Sequence, residues 1–186
     1  LEVTESGSAG ISTVTDEVAG DSFFGIGGII GSNIFSFLDW DIVISQGTSK
    51  PVVGPPLNTD LMQLDVQATR KESVGSTTAS GAASTLTIKL TDTGFSVPAT
   101  HMTVGLDRDN GPTADTGAVG LDAFIDLGDA EFAAVSPIVP VGSLSILNSL
   151  GPNSISVNNS DFVTTDPSYS MTMIMTITSA DVGVRY

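Results

Sequence analysis

Ser84 to Thr91 reads S-T-L-T-I-K-L-T, and Met171 to Thr178 reads M-T-M-I-M-T-I-T. Successive side chains of a strand point to opposite faces, so Leu86, Ile88 and Leu90 fall on one face and Thr85, Thr87, Lys89 and Thr91 on the other. This is the pattern of half-buried antiparallel strands with a hydroxyl-rich outer face. Met171, Met173 and Met175 share one phase and are expected to face the core, where flexible thioethers fill gaps, rather than to hold copper.

Working outward, strand signals become regular from Asn33. Strands are expected over 33–38, 39–46, 61–69, 84–91, 100–106, 118–127, 131–135, 143–147, 154–157 and 169–178. Turn clusters such as Gly54-Pro55-Pro56, 75–81, 107–117, Gly151-Pro152 and Asp166-Pro167 separate them. Residues 58–70 have a weak helical claim, but Met62, Leu64, Val66 and Ala68 alternate at period two, which favours a strand. Trp40, in phase with Ile42 and Ile44, is expected to anchor the core between two sheets. About ten short strands at this spacing predict an all-β fold with little helix: an antiparallel two-sheet sandwich of jelly-roll or immunoglobulin-like kind. In the glycine-rich stretch Phe23-Phe24-Gly25-Ile26-Gly27-Gly28-Ile29-Ile30-Gly31, each glycine costs a helix about 1 kcal/mol relative to alanine. A bulged strand or a loop packed under the sheet is expected there instead. The spacing is not G-x-G-x-x-G and no Gly-Lys-Ser/Thr follows, so it is no phosphate loop.

The 186 residues carry 6 Lys+Arg against 21 Asp+Glu, a formal net charge of -15, with a pI near 4.1. A field of that sign repels phosphates and anionic headgroups and attracts divalent cations, so nucleic acid is excluded as a partner. No apolar run is long enough to span a bilayer as a helix, so no direct membrane insertion is expected. Only 15% of residues are charged and mean hydropathy is +0.26, against about 25% charged residues in an ordinary soluble domain. The polar surface therefore comes from Ser, Thr, Asn and Gly. Such a surface suits extracellular β proteins and proteins partly covered by copies of themselves. With no cysteine, disulfides, thiol nucleophiles and thiolate metal sites are all absent. Position 1 is leucine rather than methionine, and removal of a secretory segment is the expectation, which makes the chain secreted, extracellular or cell-surface. One domain is expected over 16–186. Residues 1–15 form an N-terminal arm whose first piece, Leu1 to Glu5, stands off on a Gly/Ser/Ala spacer.

The best site candidate is Asp107-Arg108-Asp109-Asn110-Gly111 with Asp115. Oxygen ligands at alternate positions, ended by a glycine that permits a sharp turn, are what a hard cation needs to collect several contacts from one loop. Calcium through Asp107, Asp109, Asn110 and Asp115 is one reading, and it is the only cofactor the residues offer. An Asp/Asn/Gly turn joining two strands is the other, because position 12 of the loop is Ala118 and not a bidentate Glu. A second acidic group, Asp122, Asp126, Asp129 and Glu131, follows. With Val119, Leu121, Ala123, Ile125 and Leu127 on one strand face, Asp122 and Asp126 fall on the other, about 13 Å apart. A glycosidase pair needs roughly 5–9.5 Å, so a solvated face is expected. The single histidine, His101, has no G-x-S-x-G elbow to serve, and with no cysteine the common zinc sets are lacking too. No catalytic residues are predicted.

The order Asp39-Trp40-Asp41-Ile42-Val43-Ile44, then Thr48-Ser49-Lys50-Pro51-Val52-Val53-Gly54, then Leu64-Asp65-Val66, the ladder 86–95 and the closing 169–178, resembles a group of secreted bacterial β-sandwich proteins. These carry a C-terminal Pro-Glu-Pro sorting signal and are linked to extracellular polymer and biofilm surfaces. The resemblance covers roughly 39–178, implies no catalytic residues, and does not include the sorting tripeptide, which these 186 residues lack.

Two functional expectations follow. The first is a non-enzymatic extracellular structural protein, a self-assembling subunit of a filament, sheath or surface layer. Its N-terminal arm would add to a neighbour's sheet edge as a donor strand, with Leu1 and Val3 filling alternate pockets. The alternative is a monomeric secreted module that binds carbohydrate or adheres, with extracellular polysaccharide as its partner.

Overall fold

Sequence alternation translates directly into strands in the computed structural model, which describes residues 1–6, 11–15, 29–37, 39–49, 62–71, 82–95, 102–108, 117–132, 138–147, 153–159, 168–182 and 186. Among these residues there are eleven strands and no helix: β1 Glu2–Glu5, β2 Ile11–Thr13, β3 Ile29–Ser36, β4 Trp40–Ser49, β5 Met62–Arg70, β6 Ser84–Phe95, β7 Met102–Arg108, β8 Ala118–Asp126, β9 Ile138–Leu147, β10 Asn153–Asn159 and β11 Tyr169–Ser179. All pairings are antiparallel. A six-stranded sheet runs β2-β1-β6-β11-β8-β9, a three-stranded sheet runs β3-β4-β5, and β10 pairs with β7.

The fold is thus an antiparallel β-sandwich, with its second layer divided into two pieces. The β4-β5 part lies over β6 and β11, while β7 and β10 lie against β9. The core between the layers is made by the inward phase of each strand. Leu86, Ile88 and Leu90 of β6, Met171, Met175 and Ile177 of β11, and Val119, Leu121 and Ile125 of β8 meet Trp40, Ile42 and Ile44 of β4. Trp40 is fully buried, as its phase required. Met173 is half-buried and packs against this core. On the outer face the threonines pair across strands, Thr85 with Thr178 at 3.1 Å and Thr91 with Thr172 at 3.0 Å, so the hydroxyl ladder partly satisfies itself.

Bulges decide where the alternation changes phase. In β4 the register to β5 shifts between Ile44 and Gln46, and the inward set passes from Trp40, Ile42 and Ile44 to Gly47 and Ser49. The strand therefore continues past the expected end at Gln46. β3 takes up Ile29 and Ile30 from the glycine-rich stretch with two register shifts against β4, the bulged strand of the two readings. Pro140 sits in β9 at that strand's own register shift against β8, where a missing N–H is tolerated.

The end of β8 departs from expectation. Asp126 is buried rather than solvated: its carboxylate accepts the Gly128 and Ala130 N–H groups, both at 3.0 Å, and closes a turn. Leu127 is carried outward by that turn and is exposed. Glu131 and Phe132 also lie in a turn and not in a strand over 131–135. Asp129, at a φ of 57°, accepts the Gly94 N–H at 2.7 Å and the Ser168 hydroxyl, so the turn clasps the end of β6 and the start of β11. Asp126→Ala is expected to cost about 1.5–3 kcal/mol, the loss of hydrogen bonds to a charged acceptor, with water taking up the exposed Gly128 and Ala130 N–H groups. Asp126→Asn, which keeps one acceptor oxygen, should cost about half as much. Urea midpoints of the two variants check this.

Candidate functional site

Leu1, Val3 and Glu5 are in phase at i, i+2 and i+4, and all three point into the sandwich, with 6%, 0% and 5% of their surface exposed. The N-terminal segment is therefore not an arm standing off the domain. β1 lies between β2 and β6, in the register Glu2↔Lys89, Val3↔Ile88, Thr4↔Thr87 and Glu5↔Leu86, with Thr4 opposite Ile11 of β2. Leu1 N donates to Val14 O at 2.9 Å and Val14 N returns a bond to Leu1 O at 3.0 Å. The physical reason is local: apolar alternation beside an open β6 edge is better buried in the chain's own core than left in water. Leu1 and Val3, the expected assembly residues, plug this chain's own slot.

Glu5 ends the plug on a polar socket. Its carboxylate accepts the Asp39 N–H at 2.8 Å, and the Ser84 hydroxyl lies 3.5 Å away. Ser84 Oγ in turn accepts Trp40 Nε1–H at 3.0 Å. Asp39 faces Arg70, whose guanidinium is 3.4 Å from the Asp39 carboxylate and donates to the carbonyls of Asp39 at 3.2 Å and Lys71 at 2.9 Å. Arg70 also lies 5.9 Å over the Trp40 ring, against which Tyr186 packs at 5.9 Å. Glu5, Asp39 and Arg70 are all buried. Such a cluster holds its geometry tightly, because any member left without its partner is expensive at this depth. No spacing motif in the sequence marks it. The available signal was phase: Glu5 follows Leu1 and Val3, and Arg70 follows Leu64 and Ala68 on the inward face.

Beside the plug is a cleft of about 310 Å³ between β1-β2 and β3-β4, into which Glu2, Asp92, Glu131 and the hydroxyls of Thr13, Thr48 and Ser49 open. Ser49 Oγ donates to Asp92 at 2.6 Å across the two layers. Among the described residues Phe132 is the one aromatic that lines the cleft, and Trp40 and Tyr169 are buried elsewhere.

A surface triad flanks the socket on its outer side. Lys71 Nζ and Ser36 Oγ both donate to Asp41, at 2.7 and 2.8 Å. Those two bonds, the one from Lys71 foremost, hold the Asp41 carboxyl below its ordinary value of 3.8. A depressed folded-state value means that the contribution is present above the unfolded value and is lost as pH falls through the lower, folded one. Asp41→Asn should therefore flatten the acid limb of stability below about pH 4. Half of the Asp41 side chain is exposed, so the effect at neutral pH stays within about 1 kcal/mol. Melting temperatures followed from pH 7 to pH 2 test it.

Of the expected calcium ligands, Asp107 lies in β7, opposite Ser154 of β10. Asp109, Asn110 and Asp115 lie outside the described residues, as does His101. Among the described residues no three His, Asp or Glu side chains group to hold a metal. Asp122 and Asp126 are not brought together as a catalytic pair, since Asp126 is engaged in its turn. No helix among the described residues is long and apolar enough to cross a membrane.

No protein-family model and no curated protein matches the chain. Among solved structures it is similar to the enzymatically active domain of tailspike protein 4 of bacteriophage CBA120, at 16% identity and a TM-score of 0.40. The alignment covers 91% of this chain and 20% of that one, so this chain spans about a fifth of its length.

Proposed function

We propose that this chain is a non-enzymatic extracellular structural subunit that assembles with copies of itself, β1 of one copy filling the slot beside β6 of the next. The observation that carries this reading is the slot: a four-residue strand, inserted by its side chains, completes the edge region of the main sheet. Thirteen residues, 16–28, separate Thr15 from Ile29 and include four glycines. Fully extended, they could reach about 45 Å. An exchanged strand makes in a neighbour the same ladder and the same core contacts that it makes at home, so exchange costs little once copies are concentrated. The low charge density and the resemblance to secreted surface proteins support a filament, sheath or surface layer of a biofilm matrix as the setting.

Sedimentation and negative-stain imaging over a concentration series test the proposal. The expected result is oligomers that grow with concentration; a chain that stays monomeric at high concentration would sink it. The carbohydrate-binding reading is the weaker one, because among the described residues the cleft beside β1 offers hydroxyls and carboxylates but only Phe132 for stacking.

Calcium belongs to the same proposal. Copies at a charge of -15 repel one another, and an ion held by Asp107, Asp109, Asn110 and Asp115 would offset part of that repulsion. Binding only the folded state at a hundredfold excess over the dissociation constant stabilises it by about 2.7 kcal/mol. Calcium is expected to raise the melting temperature, and Asp107→Ala with Asp109→Ala to abolish the rise. An unchanged melting temperature with and without chelator refutes it.

A further inference from the structure

We infer that the slot beside β6 reads the sequence of the strand laid into it, with Glu5 as the residue that sets the register. The occupant is the segment Leu1 to Glu5 of a second copy, so the inference rests on the exchange proposed above. Leu1 and Val3 alone cannot define one register, because the inward pattern repeats every two residues. A slip by one residue turns Glu2 and Thr4 inward and is excluded by polarity. A slip by two keeps an apolar residue in an apolar pocket and is not excluded by alternation.

Glu5 removes that degeneracy. In the observed register its carboxylate meets the Asp39 N–H at 2.8 Å, beside a serine whose hydroxyl already accepts from Trp40 and so has its own proton to offer. Slipped one way by two residues, the carboxylate would lie at the level of Ile88, which is fully buried and apolar, away from the Asp39 N–H. Slipped the other way, Val3 would occupy the socket and leave the Asp39 N–H without its acceptor. The slot thus selects an extended segment of the form apolar-x-apolar-x-Glu, and a neighbouring copy carries that segment.

The absence of cysteine allows a direct test on the full chain. Thr4 and Thr87 are directly opposed and half-buried, within disulfide reach. Thr4→Cys protein is mixed with Thr87→Cys protein, or with Thr85→Cys or Lys89→Cys protein, which report slips of two residues. After mild oxidation the linked dimers are weighed by mass spectrometry. Position 87 is expected to trap at least about ten times more dimer than 85 or 89, because a slip buries an unpaired carboxylate. Adding Glu5→Val to the Thr4→Cys chain should collapse that preference to about twofold, and Glu5→Gln should restore part of it. Selectivity for position 87 that survives Glu5→Val overturns the inference and leaves exchange standing. If no position gives cross-copy dimers while a single chain carrying both Thr4→Cys and Thr87→Cys closes its own bridge, exchange itself is refuted. The register assignment is then decided by comparing intrachain bridges from position 4 to 85, 87 and 89, with and without Glu5→Val.

Discussion

Arg70→Ala is expected to destabilise the domain by about 3–5 kcal/mol, the cost of breaking a buried ion pair by removing one partner. The guanidinium lies 3.4 Å from the buried Asp39 carboxylate and donates to two backbone carbonyls, of Asp39 and Lys71. Truncation removes the Arg70 charge from beside that carboxylate and the packing of Arg70 over Trp40. Water cannot replace the lost groups at this depth without opening the layer. Most of the loss should come from the abandoned charge, not from the pair's own strength. The double variant Arg70→Met with Asp39→Asn is therefore expected to cost less than Arg70→Ala alone. The two positions should be coupled by more than about 1 kcal/mol in a double-mutant cycle. Chemical denaturation of the four proteins supplies the cycle. Additive losses would mean that Arg70 and Asp39 act independently.

Deleting residues 1–10 is expected to cost about 3–6 kcal/mol from the burial of Leu1 and Val3 alone, at about 1.5–3 kcal/mol for each side chain. It also withdraws Glu5 from the Asp39 N–H and uncovers the β6 backbone between Leu86 and Lys89. A loss of that size consumes a large part of an ordinary domain's stability of about 5–15 kcal/mol. The shortened protein should thus be both assembly-deficient and unstable, unlike the intact domain expected if 1–10 were a loose tail. A melting temperature within a few degrees of the full chain's would show that β1 contributes little to the fold. Supplying the peptide Leu1 to Ser6 in trans should recover part of the lost stability, because it can bind the same slot.

The strands were largely legible because each strand's alternation is carried by its own residues. Leu86, Ile88 and Leu90 proclaim their face without reference to any other part of the chain, and so do Trp40, Ile42 and Ile44. The failures lie where a residue's fate depends on something outside its own strand. Asp126 alternates like an outward residue, yet a turn two positions later folds back and buries it. Gly47 and Ser49 lie beyond a bulge whose position depends on β5. The socket was not legible as a site because its members, Glu5, Asp39, Arg70 and Ser84, carry no spacing motif. Their chemistry arises only where β1, β5 and β6 meet the entry to β4.

By itself, then, the sequence determined the class of structure, the inward face of the main strands and the burial of the single tryptophan, all consequences of period-two patterning within short segments. Tertiary structure alone decided which strand lies beside which. β6 takes β1 on one side and β11 on the other, from more than seventy residues away in each direction. It also decided that Leu1 and Val3 close this chain's own core, and that Glu5 meets a backbone N–H 34 residues distant. Alternation states that a side chain points inward but is silent on what it will meet there. A buried carboxylate is stable only when a donor is already in place, and that donor is positioned by the packing of the layers, not by neighbours along the chain.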